Sequence, residues 1–214
     1  MTKDMTSGNP LKMILFFSFP VLLGNIFQQF YNMVDTIIVG QYLGEEALAA
    51  VGSTGCLMFL VLGFANGIAQ GFGVMISHAF GAKDFRLLKH YVALSLMLTL
   101  IVSVILTIPT VAASKAFLIL MKTPDNILGL ADSYITVIFA GIILTMSYNV
   151  ASGILRGIGD SKTPLYFLIL SSVLNIGLDL FFIIVVKLGT AGAAYATIIA
   201  QGVSALLCFI YMFR

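Results

Sequence analysis

The sequence predicts an all-α, polytopic integral membrane protein in which six helices cross the bilayer. Its 214 residues are 60% hydrophobic and only 9% charged, whereas about a quarter of the residues in a soluble domain are charged. Six apolar stretches each reach the roughly 20 residues that a membrane-spanning helix needs. None of them alternates apolar and polar residues as the strands of a membrane barrel do.

The six predicted spans form one transmembrane bundle over residues 1–214. They lie at roughly residues 12–42, 47–80, 91–113, 133–155, 165–186 and 191–213. In the first, Pro20 removes a backbone hydrogen bond, so we expect a bend that serves either as a hinge or as a packing adjustment.

Local signals mark several of the other spans. In the second, Gly63, Gly67 and Gly71 share one helix face and predict a close helix contact. Asp84 before the third predicts either a short interfacial helix or a loop. Thr163 with Pro164 predicts a hydroxyl-capped start for the fifth.

Basic residues set the expected orientation, because Lys and Arg prefer cytoplasmic loops. Eight of the eleven fall on one side of the predicted spans: Lys3, Lys12, Lys83, Arg86, Lys89, Arg156, Lys162 and Arg214. We therefore expect a multi-pass protein of the plasma membrane with both termini in the cytoplasm. The small net charge of +2 and the lack of basic runs argue against nucleic acid as a partner.

One short motif invites an enzymatic interpretation. Gly157-Ile158-Gly159-Asp160 matches the G-x-G-D string of intramembrane aspartyl proteases. It falls in a predicted turn, however, and no Tyr-Asp pair supplies a second acid. We expect no enzyme and no cofactor, and interpret Asp160 as a turn cap with Arg156 as an ion partner.

Two acids inside predicted spans carry the functional prediction. Asp35 and Asp179 each lie eight residues before the outer end of a span, so both are expected about 12 Å below the external face. Thr197 comes to the same depth, Asn175 shares a face with Asp179, and Asn32 and Gln28 share a face with Asp35. An acid in the bilayer is a functional hypothesis by default.

These oxygen-bearing groups suit a proton or a small hard cation such as sodium rather than a soft metal. The prediction is a coupling-ion site at Asp35, Asn175, Asp179 and Thr197. The alternative is that each acid is satisfied separately and only stabilises helix contacts.

Several motifs resemble the multidrug and toxic compound extrusion (MATE) family, in order and over essentially the whole chain. They are Asn32-Met33-Val34-Asp35-Thr36, Leu48-Ala49-Ala50-Val51-Gly52, Leu155-Arg156-Gly157-Ile158-Gly159-Asp160, Leu174-Asn175, Leu178-Asp179 and Ala196-Thr197. The resemblance implies one six-helix lobe of a two-lobe transporter, with the second lobe absent from this chain.

The same resemblance implies an antiporter that exports organic, often cationic, compounds in exchange for sodium or protons. It implies the ion site named above, adds a backbone carbonyl near Ala193, and places Tyr134 in the supporting hydrogen-bond network. It also matches Pro20 to a proline at which the first helix bends. The second lobe, small drug-like molecules and membrane lipid are the implied partners.

Two other functions stay open at this point. A lipid-linked sugar flippase has a similar architecture, although more basic residues would then be expected within the spans. A membrane module that does not transport, and acts only by pairing with a partner lobe, is the second. The sequence alone gives neither the substrate nor the choice between sodium and protons.

Overall fold

A computed structural model of the chain describes residues 10–213, apart from the side chains of Pro10 and Lys12. Three of the basic residues that predict the orientation lie outside this description: Lys3, Arg214 and the side chain of Lys12. Within it the backbone is helical between short turns. The helices are α1 Pro10–Leu43, α2 Glu45–Gly81, α3 Phe85–Ala112, α4 Ser114–Leu120, α5 Asp125–Ala140, α6 Ile142–Gly157, α7 Lys162–Leu180, the π-helix Phe181–Val185, and α8 Thr190–Met212.

Five of the helices are long and apolar enough to cross a membrane: α1, α2, α3, α7 with the π-helix, and α8. They correspond to five of the six predicted spans. α3 begins directly after Asp84, whose Oδ1 accepts the Leu87 N–H at 2.9 Å. Asp84 is therefore the N-cap of the long helix, and the separate interfacial helix considered from the sequence does not form.

The predicted fourth span, 133–155, is wrong in its start and in its continuity. α5 already begins at Asp125, and α5 and α6 meet at Gly141 with a bend of 48°. Together they make the sixth span if the bent pair is counted as one. A Cβ built on Gly141 would lie 2.8 Å from the Cβ of Ile198 in α8, so the break occurs where α8 touches bare backbone.

The close contact made by α2 uses a different glycine from those predicted. Nothing lies within 4 Å of a Cβ built on Gly63, Gly67 or Gly71. A Cβ on Gly73, in contrast, would meet the Gly153 carbonyl oxygen at 3.4 Å, and one on Gly157 would meet the Gly73 oxygen at 3.1 Å. Small residues thus bring α2 and α6 together, as they do between membrane helices generally.

The turn before α7 is organised by Asp160. Its carboxylate accepts the N–H groups of Lys162 at 3.2 Å and Thr163 at 3.1 Å, and the Thr163 hydroxyl at 2.7 Å. The cap is therefore Asp160, as the turn motif predicted, and Thr163 donates to that cap instead of serving as one. Arg156 is not its ion partner, because the Arg156 Nε donates to the Ser152 carbonyl oxygen at 3.2 Å.

Apolar side chains fill the interior and also cover the outside. Phe139, Ile135, Ile142 and Met146, from α5 and α6, are completely buried in the main core. Large apolar residues on the outer helices are exposed; Phe59, for example, is 82% exposed. An apolar exterior of this kind fits hydrocarbon as its solvent.

Hydrogen bonds between side chains and backbone join α7 to α8. Ser171 Oγ donates to the Ala200 carbonyl oxygen at 2.8 Å, and Ser204 Oγ donates to the Phe167 carbonyl oxygen at 3.1 Å. At the end of α8 the Tyr211 hydroxyl donates to Asp160 Oδ2 at 3.2 Å. Two hydrogen bonds therefore join α7 to α8, and a third joins α8 to the turn before α7.

Candidate functional site

The structure brings the two predicted intramembrane acids together. Asp35 in α1 is 8% exposed, and Asp179, next to last in α7, is fully buried. Their carboxyl groups lie within hydrogen-bonding reach of each other. The last turn of α7 passes directly into the π-helix that follows Asp179.

This contact has a direct chemical consequence. An ionised carboxylate only accepts hydrogen bonds, so two carboxyl groups in contact need a proton or a cation between them. One oxygen of each acid, Asp35 Oδ1 and Asp179 Oδ1, is also buried without a hydrogen-bond partner within residues 10–213. Buried polar atoms nearly always have a hydrogen-bond partner, so these two oxygens are the atoms to which an added ion would bind.

Asn175, one turn before Asp179, completes the α7 side of the cluster. It is fully buried. In the amide orientation that its neighbours require, its nitrogen donates to Asp179 Oδ2 at 2.9 Å and its oxygen accepts the Thr197 N–H at 3.2 Å. Asn175 thereby links the acid of α7 to α8, and Thr197 lies beside the cluster as predicted from its depth.

Tyr31 is a member that the sequence analysis missed. Its side chain lies beside Thr197 and near both Asp35 and Asp179. Tyr31 is four residues before Asp35, the spacing that places two side chains on one face of a helix. This spacing is the signal in the sequence that identifies Tyr31 as a neighbour of Asp35.

The two residues implied by the family resemblance are both buried nearby. Tyr134 of α5 is 4% exposed and close enough to Asp35 and Asp179 to interact electrostatically. Ala193 is fully buried one turn before Thr197 in α8. Both positions agree with the predicted surroundings of an ion.

The two predicted amides of α1 are not brought into this cluster. Asn32 is exposed, and its nitrogen donates to Gln29 Oε1 at 3.4 Å. Gln28 lines a small cavity of about 20 Å³ together with Tyr31 and Gln201. At 3.6 residues per turn, Asn32 lies about 60° around the helix from Asp35 on its exposed side, whereas Tyr31 lies about 40° from Asp35 on the other side.

Pro20 lies inside α1, which runs as one continuous helix through it. Its side chain is buried and lines a second polar cavity between α1, α6 and α7. The expected hinge at Pro20 stays a prediction.

Comparison with known proteins places this arrangement in a family. The MatE family profile matches residues 20–181. The chain belongs to the MatE family. The match includes Asp35, Asn175 and Asp179, three of the residues that form the buried cluster.

Relatives of this MatE protein carry names that refer to drug resistance. It is 35% identical over 99% of its length to the probable multidrug resistance protein YpnP of Bacillus subtilis, covering 47% of that protein. It is 28% identical over 95% of its length to the probable multidrug resistance protein NorM of Thermotoga maritima, covering 44%.

Solved structures give the same picture of the MatE fold. An outward-facing multidrug resistance MATE family transporter of the MOP superfamily superposes with a TM-score of 0.91 at 33% identity, covering all of this chain and 48% of that one. A MOP superfamily transporter from Pyrococcus furiosus superposes with a TM-score of 0.91 at 34% identity, covering 98% and 46%. These comparisons confirm the MATE resemblance and the all-α membrane fold of one lobe. The chain spans about half the length of the relatives it matches.

Proposed function

We propose that this MatE chain is one lobe of a secondary active multidrug antiporter, which exports organic, often cationic, compounds in exchange for sodium ions or protons. The lobe works in the plasma membrane with both termini in the cytoplasm, paired with a second six-helix lobe. The names of its relatives, which refer to multidrug resistance, support drug-like substrates. The coupling ion is argued from the site itself.

The contact between Asp35 and Asp179 is the observation that carries the proposal. Two carboxyl groups that touch in a low-dielectric interior cannot both be charged unless a cation lies between them. The dyad therefore has two stable forms, one that shares a proton and one that holds a metal cation. Sodium would be held by the carboxylates, the oxygen of Thr197, the amide of Asn175 and the backbone carbonyl of Ala193, all hard oxygen ligands.

Coupling requires that the ion bind two conformations with different affinity, because a ligand that binds both equally drives nothing. The acids are well placed for this, since Asp35 belongs to α1 and Asp179 to α7. Any movement of α1 relative to α7 separates the carboxyl groups and dismantles the site. Occupancy by the ion therefore favours the conformation in which the two helices hold the acids together.

The proposal is tested by ion binding to the purified chain. Sodium binding is measured by calorimetry from pH 5 to 9, together with proton release, for the wild type and for Asp35→Asn and Asp179→Asn. We expect saturable sodium binding that competes with protons, or proton uptake without sodium binding if the proton is the coupling ion. Either signal should disappear in both variants.

Asp125→Asn is the matched control, because Asp125 is an exposed acid at the start of α5, outside the cluster. It should bind like the wild type. Ion binding that survives unchanged in both Asp35→Asn and Asp179→Asn overturns the proposal. So does the absence of any sodium binding or proton uptake that depends on these acids.

A further inference from the structure

A second polar cavity, of about 60 Å³, lies between α1, α6 and α7, close to the turn that leads into α7. Its polar lining comes from Asn25, Gln28, Tyr148, Asn149, Ser152, Arg156 and Ser161. Neither acid of the coupling-ion cluster lines it. Pockets for drug-sized molecules usually measure roughly 300–1,000 Å³, so this cavity suits one compact polar group.

Arg156 gives the cavity a positive charge without a counter-charge. Its Nε donates to the Ser152 carbonyl oxygen of its own helix at 3.2 Å. Within residues 10–213 this is the hydrogen bond that the guanidinium makes, and no carboxylate there forms an ion pair with it. The nearest acid in sequence, Asp160, instead accepts from Lys162, Thr163 and Tyr211.

An arginine that is partly withdrawn from water without an acidic partner is costly, and it gains most from an anion with several oxygens. The planar guanidinium offers its remaining N–H groups in a fork that matches a phosphate or a carboxylate. The side-chain amides of Asn25 and Asn149 add neutral donors around the same space. The lining therefore has many donors and a positive charge, which selects an anion.

We propose that this cavity binds a phosphate group, with Arg156 as the charged anchor and Asn149 and Asn25 as flanking donors. Membrane leaflets rich in anionic lipid present such groups to basic pockets between helices. The shared chemistry is an anionic phosphate, which either a phospholipid head group or free phosphate supplies. The site uses neither Asp35 nor Asp179, so it stands independently of the ion-coupling proposal.

Thermal unfolding of the purified chain in neutral detergent tests this assignment. Cys208 is buried and becomes reactive towards a thiol dye only on unfolding, while the exposed Cys56 is replaced by Ser to remove background. The probes are dioctanoyl phosphatidylglycerol, inorganic phosphate, and dioctanoyl phosphatidylcholine as a zwitterionic lipid. We expect a saturable rise in melting temperature with phosphatidylglycerol and none with phosphatidylcholine.

The inorganic phosphate arm separates the two sources. A rise with phosphatidylglycerol alone assigns the site to a lipid head group, and a rise with inorganic phosphate as well assigns it to the free anion. Both results support a phosphate site, provided that they depend on Arg156.

Variants establish that dependence. Arg156→Gln should weaken the apparent affinity by about tenfold or more, since a charged hydrogen-bonding partner is lost. Arg86→Gln removes an exposed arginine near the start of α3 and should leave the affinity unchanged. Asn149→Leu leaves the charge of Arg156 in place but removes the amide, and should weaken binding less than Arg156→Gln does. If Arg156→Gln fails to fold, Asn149→Leu serves as the test variant instead.

Two results would overturn the assignment. One is the absence of a saturable shift with both phosphatidylglycerol and inorganic phosphate. The other is a shift of equal size and affinity in Arg156→Gln, or in Asn149→Leu if that is the variant that folds.

Discussion

Asp35 and Asp179 bring their carboxyl groups within hydrogen-bonding reach of each other, although they come from the first and the seventh helix of the chain. Each has one buried oxygen without a hydrogen-bond partner among the described residues. An acid pair of this kind holds the two helices together only while a proton or a cation lies between the charges. This condition leads to measurable effects of pH and salt on stability.

The first prediction concerns sodium and pH. Raising the pH from 6 to 9 in potassium should lower the melting temperature of the wild type, because loss of the shared proton leaves two charges in contact. Adding sodium at pH 9 should restore the melting temperature. At one hundred times its dissociation constant, sodium raises the free energy of unfolding by about 2.7 kcal/mol. Asp35→Asn should flatten both responses, and Asp125→Asn should keep them. Equal responses in all three proteins would contradict the dyad.

Asn175 supports the second prediction. Asn175→Leu keeps a side chain branched at Cγ but leaves Asp179 without its amide donor and the Thr197 N–H without its side-chain acceptor. We expect a loss of about 1–3 kcal/mol in unfolding free energy, the cost of leaving a buried polar group unpaired. Chemical unfolding in detergent measures this loss.

Ser172→Ala is the matched control for that substitution. The Ser172 hydroxyl donates only within its own helix, to the Leu168 carbonyl oxygen at 2.9 Å, among the described residues. Its removal should change stability by less than about 0.5 kcal/mol. Equal losses in the two variants would mean that Asn175 has no special part in the cluster.

Gly141 supports the third prediction, about the break between α5 and α6. Gly141→Ala should destabilise the chain by about 1–3 kcal/mol, because the new methyl group overlaps Ile198 and forces the helices apart. Gly129→Ala lies within α5, where no described atom comes within 4 Å of the new Cβ, and should be neutral or stabilising through helix propensity. Melting temperatures of both variants check the contrast, and a tolerated Gly141→Ala would contradict it.

Asp160 supports the fourth prediction, which depends on pH. Burial alone would raise the pKa of Asp160, but hydrogen bonds from Thr163 and Tyr211 outweigh it and hold the pKa below its usual range. Because the pKa is lower in the folded state, the stabilisation is complete above the unfolded pKa of about 3.9 and is lost as the pH falls through the folded value.

Asp160→Ala should therefore cost about 1–2 kcal/mol at neutral pH through loss of the cap. The difference from the wild type should begin to shrink as the pH falls below about 4 and should disappear below the lower folded pKa, where the carboxyl is protonated in both states. Thr163→Val, which removes one donor and keeps the cap, should cost less. Melting curves from pH 3 to 7 measure the trend, and a difference that is independent of pH would contradict it.

Much of the fold could be predicted because the bilayer imposes a simple rule on length and polarity. The long apolar runs gave five spans, and the acids placed at equal depth by counting residues do meet in the structure. Depth follows from the helical rise alone, so no knowledge of the packing was needed. The rotation of each helix is harder, which is why Asn32 was assigned to the cluster and Tyr31 was not.

Two of the errors share one cause, which is that they depend on a neighbour distant in sequence. The apolar pattern runs unbroken across Gly141, and the break is explained only by Ile198 of α8. Gly73 rather than the predicted glycines of α2 makes the close contact, because Gly153 and Gly157 of α6 face it. No local signal in either segment reveals its partner.

The hydrogen bonds that tie α7 to α8 have a mechanical consequence. Ser171, Ser204 and Tyr211 anchor the pair at separate levels, so sliding one helix along the other would break several bonds at once. Asn175 adds another link beside Asp179. α7 and α8 are therefore expected to move together, and in the proposed transport cycle α1, which carries Asp35, is the helix that moves relative to them.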